Sequence, residues 1–158
     1  MFTGGGNVAY CSLKDQSCHV AASKGFNFPN GIVRGADGLY HVPNTISAKI
    51  SVMELQPDKS LKEIDAIHHN MPLDNLSVDK KGDIWSAGFP SLRAMIASVV
   101  DPWNQDWPTT VWRFRKEAGG KGYKTDKLIE DREAKIVAGA MTVQHDVKTG
   151  RLFMSGES

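Results

Sequence analysis

Short runs in which apolar and polar residues alternate, broken about every ten residues by Gly-, Pro- or Asp-bearing turns, predict an all-β chain. Gly31 to Val33, Leu39 to Val42, Ala48 to Leu55 and Leu61 to Ile67 carry this alternation, and helical periodicity across each is weak. Arg93 to Val100, Thr109 to Arg115 and Tyr123 to Ile129 continue it as further strands. Between them, Ala36-Asp37-Gly38, Asp79-Lys80-Lys81-Gly82-Asp83 and Asp146-Val147-Lys148-Thr149-Gly150 have the composition of tight strand connections.

Each of these turns joins an apolar strand to a second strand that opens on a bulky apolar pair, so a module recurs. Its copies are Asn30-Gly31-Ile32-Val33 with Gly38-Leu39-Tyr40, Asn75-Leu76-Ser77-Val78 with Gly82-Asp83-Ile84-Trp85, and Met141-Thr142-Val143 with Gly150-Arg151-Leu152-Phe153. Asn30 and Asn75 stand 45 positions apart, close to the roughly 40 to 45 residues of a four-stranded propeller blade. The next interval is longer, and its excess falls in Asp101 to Pro108 and in the loop Gly119-Gly120-Lys121-Gly122. The predicted fold is therefore a partial β-propeller. Residues 1–29 would form outer strands of one blade, 30–72 a blade, 73–133 a blade with insertions, and 134–158 the start of another. Rings of this kind close with about four to eight blades, so the chain reads as part of a larger protein. A β-sandwich is the architectural alternative.

Composition removes several function classes. Hydrophobic residues make up 41% and charged residues 23% of 158, with a formal net charge of +1, which is neither a disordered tail nor a polyelectrolyte. Lys and Arg are scattered among acidic residues rather than gathered in a stripe, so no nucleic-acid partner is expected. No apolar run approaches the roughly 20 residues needed to span a bilayer, so no transmembrane segment is expected. Met1-Phe2-Thr3-Gly4 lacks the basic and apolar regions of a secretory signal. A signal of a secreted parent would lie upstream, and localisation and oligomeric state stay open.

The two cysteines, Cys11 and Cys18, flank a short polar centre and read as one on each strand of a hairpin. A disulfide and a pair of free thiols are both compatible with that spacing. No second Cys or His pair completes a zinc motif around them.

The first residues of inner blade strands can converge on the propeller axis, and there the chain places Asn30, then Asp74 and Asn75. Carboxylate and amide oxygens are hard donors suited to Ca²⁺. Neutral amides leave the cation under-neutralised and so useful as a Lewis acid. Taken singly, Asn30-Gly31 and Asp74-Asn75 are also ordinary turn dipeptides; their repetition at blade spacing is what favours a shared site.

Gly25-Phe26-Asn27-Phe28-Pro29-Asn30-Gly31-Ile32, followed by Asp74-Asn75-Leu76-Ser77-Val78-Asp79 and Gly82-Asp83-Ile84-Trp85, resembles the paraoxonase and arylesterase family of six-bladed propellers, more distant relatives of the gluconolactonases. The resemblance runs over nearly the whole chain and matches the family's C-terminal half, about three of six four-stranded blades. It implies a Ca²⁺-dependent hydrolase of lactones and aryl esters, with a small-molecule ester or lactone as substrate. It further implies Asn30, Asp74 and Asn75 as calcium ligands, and Phe28 and Phe89 as substrate-pocket residues, Phe89 standing where some members have a histidine. The family's catalytic His dyad lies in the other half, so no catalytic residue is expected in this chain. The alternative function is a truncated, catalytically incompetent propeller segment acting as a binding or structural module. Stopping at Ser155-Gly156-Glu157-Ser158, the chain is not expected to close a ring alone.

Other chemistry is weaker. His68-His69 would point to opposite faces of a strand, and His19, His41 and His145 read as isolated surface or turn residues. Ser77 lacks a nucleophile elbow. The glycines at 4 to 6 and 119 to 122 lack a phosphate-binding signature. Trp103 and Trp107 are the tryptophans expected near a pocket mouth.

Overall fold

The computed structural model describes residues 5–120 and 122–156. The expectations that involve residues 1–4, Lys121 and residues 157–158 lie outside that range.

Among the described residues, twelve strands form four antiparallel sheets. β1 (Val8–Ser12) and β2 (Ser17–Ala22) make a first hairpin. β3 (Val33–Arg34), β4 (Tyr40–Asn44), β5 (Lys49–Leu55) and β6 (Leu61–His68) pair in chain order as one four-stranded sheet. β7 (Leu73–Val78), β8 (Ile84–Gly88), β9 (Thr109–Lys116) and β10 (Tyr123–Asp131) form a second in the same order. β11 (Ala140–Asp146) and β12 (Arg151–Gly156) end as another hairpin. This is a partial β-propeller with two complete four-stranded sheets and a two-stranded piece on each side.

Face-to-face packing of successive sheets generates three apolar layers. Phe26, Val42 and Met53 meet Val8 and Ala22 between the first hairpin and the first full sheet. Ile50, Val52 and Ile67 meet Leu73, Leu76, Ile84 and Phe114 between the two full sheets. Trp85, Ala87 and Val111 meet Ala140 and Val143 against the last hairpin. Strands that read as period-2 alternation thus find a neighbour for their apolar face.

The three module turns form as their composition predicts. Gly38, Gly82 and Gly150 have φ of 82, 83 and 70°, in the left-handed region that glycine enters without steric cost. Their aspartates bond the turn backbone: Asp37 Oδ1 accepts from Leu39 N, Asp79 Oδ1 from Lys81 N and Asp83 N, and Asp146 Oδ1 from Lys148 N. Cys11 and Cys18 are directly opposed across β1 and β2 and form a disulfide. Its closed loop is short, so reduction should cost about 2 kcal/mol on loop-entropy grounds. Urea unfolding with and without reductant would measure it.

Leu92–Val100, whose second to last residues were expected as strand, is instead helix α1. Ser91 caps it, its side chain accepting a hydrogen bond from Ala94 N. Leu92, Met95, Ile96, Val99 and Val100 repeat at helical spacing, with Ile96, Val99 and Val100 left exposed. The loop that follows is pinned at one point. Trp107 is 2% exposed, against Trp103 at 89%, so only one of the two tryptophans expected at a pocket mouth is open to solvent. The Trp107 carbonyl also accepts from Gly139 N.

A polar cluster locks the second full sheet to the last hairpin. Asp79 Oδ2 lies 2.7 Å from His145 Nδ1 and accepts from Trp85 Nε1 at 2.9 Å. The His145 ring also lies against the Trp85 indole, centroids 4.5 Å apart. His145 is therefore a partner of a buried carboxylate and not the isolated residue its surroundings in the chain suggested. Burial alone would raise the Asp79 carboxyl, but hydrogen bonds from His145, Trp85 and the two turn amides outweigh it and hold it below the ordinary aspartate value.

Candidate metal centre

Asn30 reaches the entrance of β3 through a segment fixed to β4. Its N–H donates to the Pro43 carbonyl at 2.9 Å, and Pro29 bridges Asn44. The Phe28 carbonyl accepts from Thr45 N, and the Thr45 hydroxyl donates to the Leu73 carbonyl at 2.8 Å. That last bond ties the segment directly to the start of β7, where Asp74 and Asn75 stand.

Consecutive residues of a regular strand point to opposite faces, which would separate Asp74 from Asn75. The pairing of β7 with β8 is irregular between Leu73 and Leu76, and this bulge lets both side chains work at one place. Ser86 on β8 backs it: its hydroxyl is within reach of the carbonyls of Asp74, Asn75 and Ala87, at 3.3, 3.2 and 2.9 Å.

Asp74 is 1% exposed. Its Oδ1 accepts from Asn30 Nδ2 at 2.5 Å, Asn75 Nδ2 at 3.0 Å and Asn75 N at 2.8 Å. Asn30, Asp74 and Asn75 thus lie together, two amides gathered on one buried carboxylate oxygen. Asn75 Nδ2 also lies 3.5 Å from the Met141 carbonyl, and the Ser77 hydroxyl donates to the Val143 carbonyl. β11 thus closes the third side, and Ser77 serves strand-to-strand contact.

Gly31 completes the cradle. Its φ is 76°, and a Cβ built there would lie 2.9 Å from Asn75 Oδ1. Asn75 thus turns its amide oxygen to a bare backbone. Gly31→Ala combines a left-handed φ with that contact, so a loss of about 1 to 3 kcal/mol is expected, read by chemical denaturation. Asn-Gly was legible as a turn signal, but this close approach comes from a partner 44 residues away and leaves no local trace.

The donor set fits a hard cation in part. One carboxylate and two amides offer oxygen atoms, and rotation of an amide exchanges its oxygen with its nearly isosteric nitrogen. Ca²⁺ takes about 6 to 8 oxygens, so these three side chains make a portion of a site. Among the described residues no group of three or more His, Cys, Asp or Glu side chains is gathered for a metal.

The two expected pocket residues lie in different surroundings. Phe28, adjacent in sequence to the segment that carries Asn30, is 53% exposed and has φ of 61°. Phe89 is 2% exposed, its ring edge-on to Trp107 with centroids 6.3 Å apart. His69 packs edge-on against Trp112 at 4.3 Å, and burial lowers its basicity. His68 at the end of β6 is exposed.

Comparison with known proteins gives a consistent picture. Residues 3–152 match the family model described as arylesterase. Serum paraoxonase/arylesterase 1 of Homo sapiens is 34% identical over 71 residues, which cover 44% of this chain and 20% of that protein. A crystal structure of a Lactobacillus plantarum protein superposes with a TM-score of 0.57 at 13% identity, covering 98% of this chain and 49% of the other. That second likeness speaks to fold alone. The chain thus spans about half the length of the solved structure, and the match to the human protein takes in a fifth of it.

Proposed function

Because the chain belongs to the paraoxonase/arylesterase family, we propose that it supplies Asn30, Asp74 and Asn75 to the Ca²⁺ site of a hydrolase acting on aryl esters and lactones. The observation that carries this reading is the convergence of two amide side chains on the buried Asp74 carboxylate. Bound there, Ca²⁺ would polarise an ester carbonyl and stabilise the oxyanion that develops on it. The chain's own part is to hold ligands. Thr45 and Ser86 fix the backbone around them, Gly31 leaves room beside Asn75, and Phe28 offers an exposed ring for the organic part of a substrate.

The remaining ligands and the base that activates water would come from blades outside this chain. The Cys11–Cys18 disulfide supports an oxidising compartment for the parent protein. Phenyl acetate and γ-butyrolactone hydrolysis by the protein carrying all its blades tests the reading, measured before and after EDTA and after calcium is restored. EDTA should abolish turnover and calcium recover it, and Asn30→Ala should weaken calcium binding in calorimetry. Turnover indifferent to EDTA would remove calcium from the mechanism. No turnover and no calcium binding would leave a non-catalytic propeller segment.

A further inference from the structure

The two hairpins that flank the full sheets are opposite halves of a blade. β7 touches β3 on one side and β11 on the other, and these three strands each open a full sheet or the last hairpin. β2 instead touches β6, the last strand of the sheet beside it. The chain also passes from β2 to β3 as it passes from β6 to β7 and from β10 to β11, from a closing strand to an opening one. The pair β11 and β12 is therefore an inner half-blade, and β1 and β2 an outer half-blade. Among the described residues β12 pairs with β11 alone and β1 with β2 alone. Their other edges present unpaired N–H and C=O groups, which are templates for a further strand. The edges match in length, six residues on β12 and five on β1.

The faces are incomplete in the same complementary way. Val111 on β9 and Ile129 on β10 are cross-strand partners and share a face of the second full sheet. Val111 is fully buried in the layer under the last hairpin, whereas Ile129 is 36% exposed. An outer half-blade is what would cover it. On the first hairpin, Val8 and Ala22 pack inward. Ala9 is paired with Val20, and both are exposed, as are Cys11 and Cys18 of the disulfide beside them. That hairpin thus turns a small apolar face away from its own sheet.

We propose that two copies of this chain close a six-bladed ring, β12 of each pairing with β1 of the other. One inner and one outer half make a four-stranded blade, so each copy carries strands for three blades. Rings close with about four to eight blades; one copy falls short of that range, three copies exceed it, and two give six. A two-fold axis satisfies both joints at once, because each copy offers one edge of each kind. In each joint the Ala9 and Val20 face of one copy lies over Ile129 of the other. The inference rests on strand edges and does not depend on the calcium reading.

The test uses this full chain. Light scattering across a concentration series should give twice the 17.3 kDa chain mass. Turns between the first and second and between the third and fourth strands of one antiparallel sheet fall at the same end. A lysine cross-linker applied to mixed ¹⁴N and ¹⁵N chains should therefore join exposed Lys14, in the β1–β2 turn, to exposed Lys148, in the β11–β12 turn, in pairs of mixed isotope. Val20→Asp, at a residue 54% exposed in the single chain, should leave the circular dichroism unchanged and weaken association at least about tenfold. A chain monomeric across the series, growth beyond two copies, mixed-isotope pairs without the link from Lys14 to Lys148, or unchanged association in Val20→Asp would each overturn the proposal.

Discussion

Asp79→Ala should lower the unfolding free energy by about 3 to 5 kcal/mol, the range expected when one member of a buried charged network is removed. The carboxylate receives Lys81 N and Asp83 N on one oxygen, and Trp85 Nε1 and His145 on the other. Truncation leaves these groups unpartnered, and it also cuts the link between the second full sheet and the last hairpin. Asp79→Asn should cost less, since its amide oxygen still accepts two of the bonds. Urea unfolding followed by tryptophan fluorescence would measure both, Trp85 reporting on the site itself.

A pH dependence follows from the same residue. Because its folded-state value lies below its ordinary one, its ionised form contributes stability that is fully present above the unfolded value of about 3.9. That contribution is lost as pH falls from there through the lower folded-state value. In Asp79→Ala the acid limb of the stability curve should therefore flatten below about pH 4. An equally steep limb in the variant would assign the acid sensitivity to other carboxylates.

The second large effect is at Asp74. Asp74→Ala removes the acceptor shared by Asn30 and Asn75 and the only carboxylate among the three proposed calcium ligands. A ligand that binds only the folded state stabilises it by about 2.7 kcal/mol when present at a hundred times its Kd. Calcium should therefore raise the melting temperature of the complete protein, and Asp74→Ala should abolish that rise. The variant should also melt lower without calcium, because the half-buried amides of Asn30 and Asn75 lose their partner. Asp74→Asn separates the two losses: it restores an acceptor but not the charge. A full calcium response in Asp74→Ala would place the ion elsewhere.

How much of this was readable along the chain depends on the range of the signal. Strand alternation, the three glycine turns and the 45-residue spacing are local or periodic, and the sheets follow them closely. Helix α1 was obscured because Ile96, Val99 and Val100 favour strands by residue type, although their spacing with Leu92 and Met95 is helical. Asn30, Asp74 and Asn75 stand out as candidates through repetition at blade spacing. The bulge that brings the last two together was not foreseen, since regular pleating argues against it. His41 and His145 meet partners 82 and 66 residues away, and nothing in their immediate neighbours announces a contact of that range.

The irregularity between Leu73 and Leu76 also makes the site sensitive to length as well as to residue type. An extra residue in one strand shifts the phase of every side chain beyond it. Deleting a single residue there would restore the pleat and send one of the two neighbouring side chains to the far face, even if both an Asp and an Asn were kept nearby. Single-residue deletions through this strand should thus be worse tolerated than most substitutions, and a homologue that preserves the letters but loses the count would not preserve the cluster.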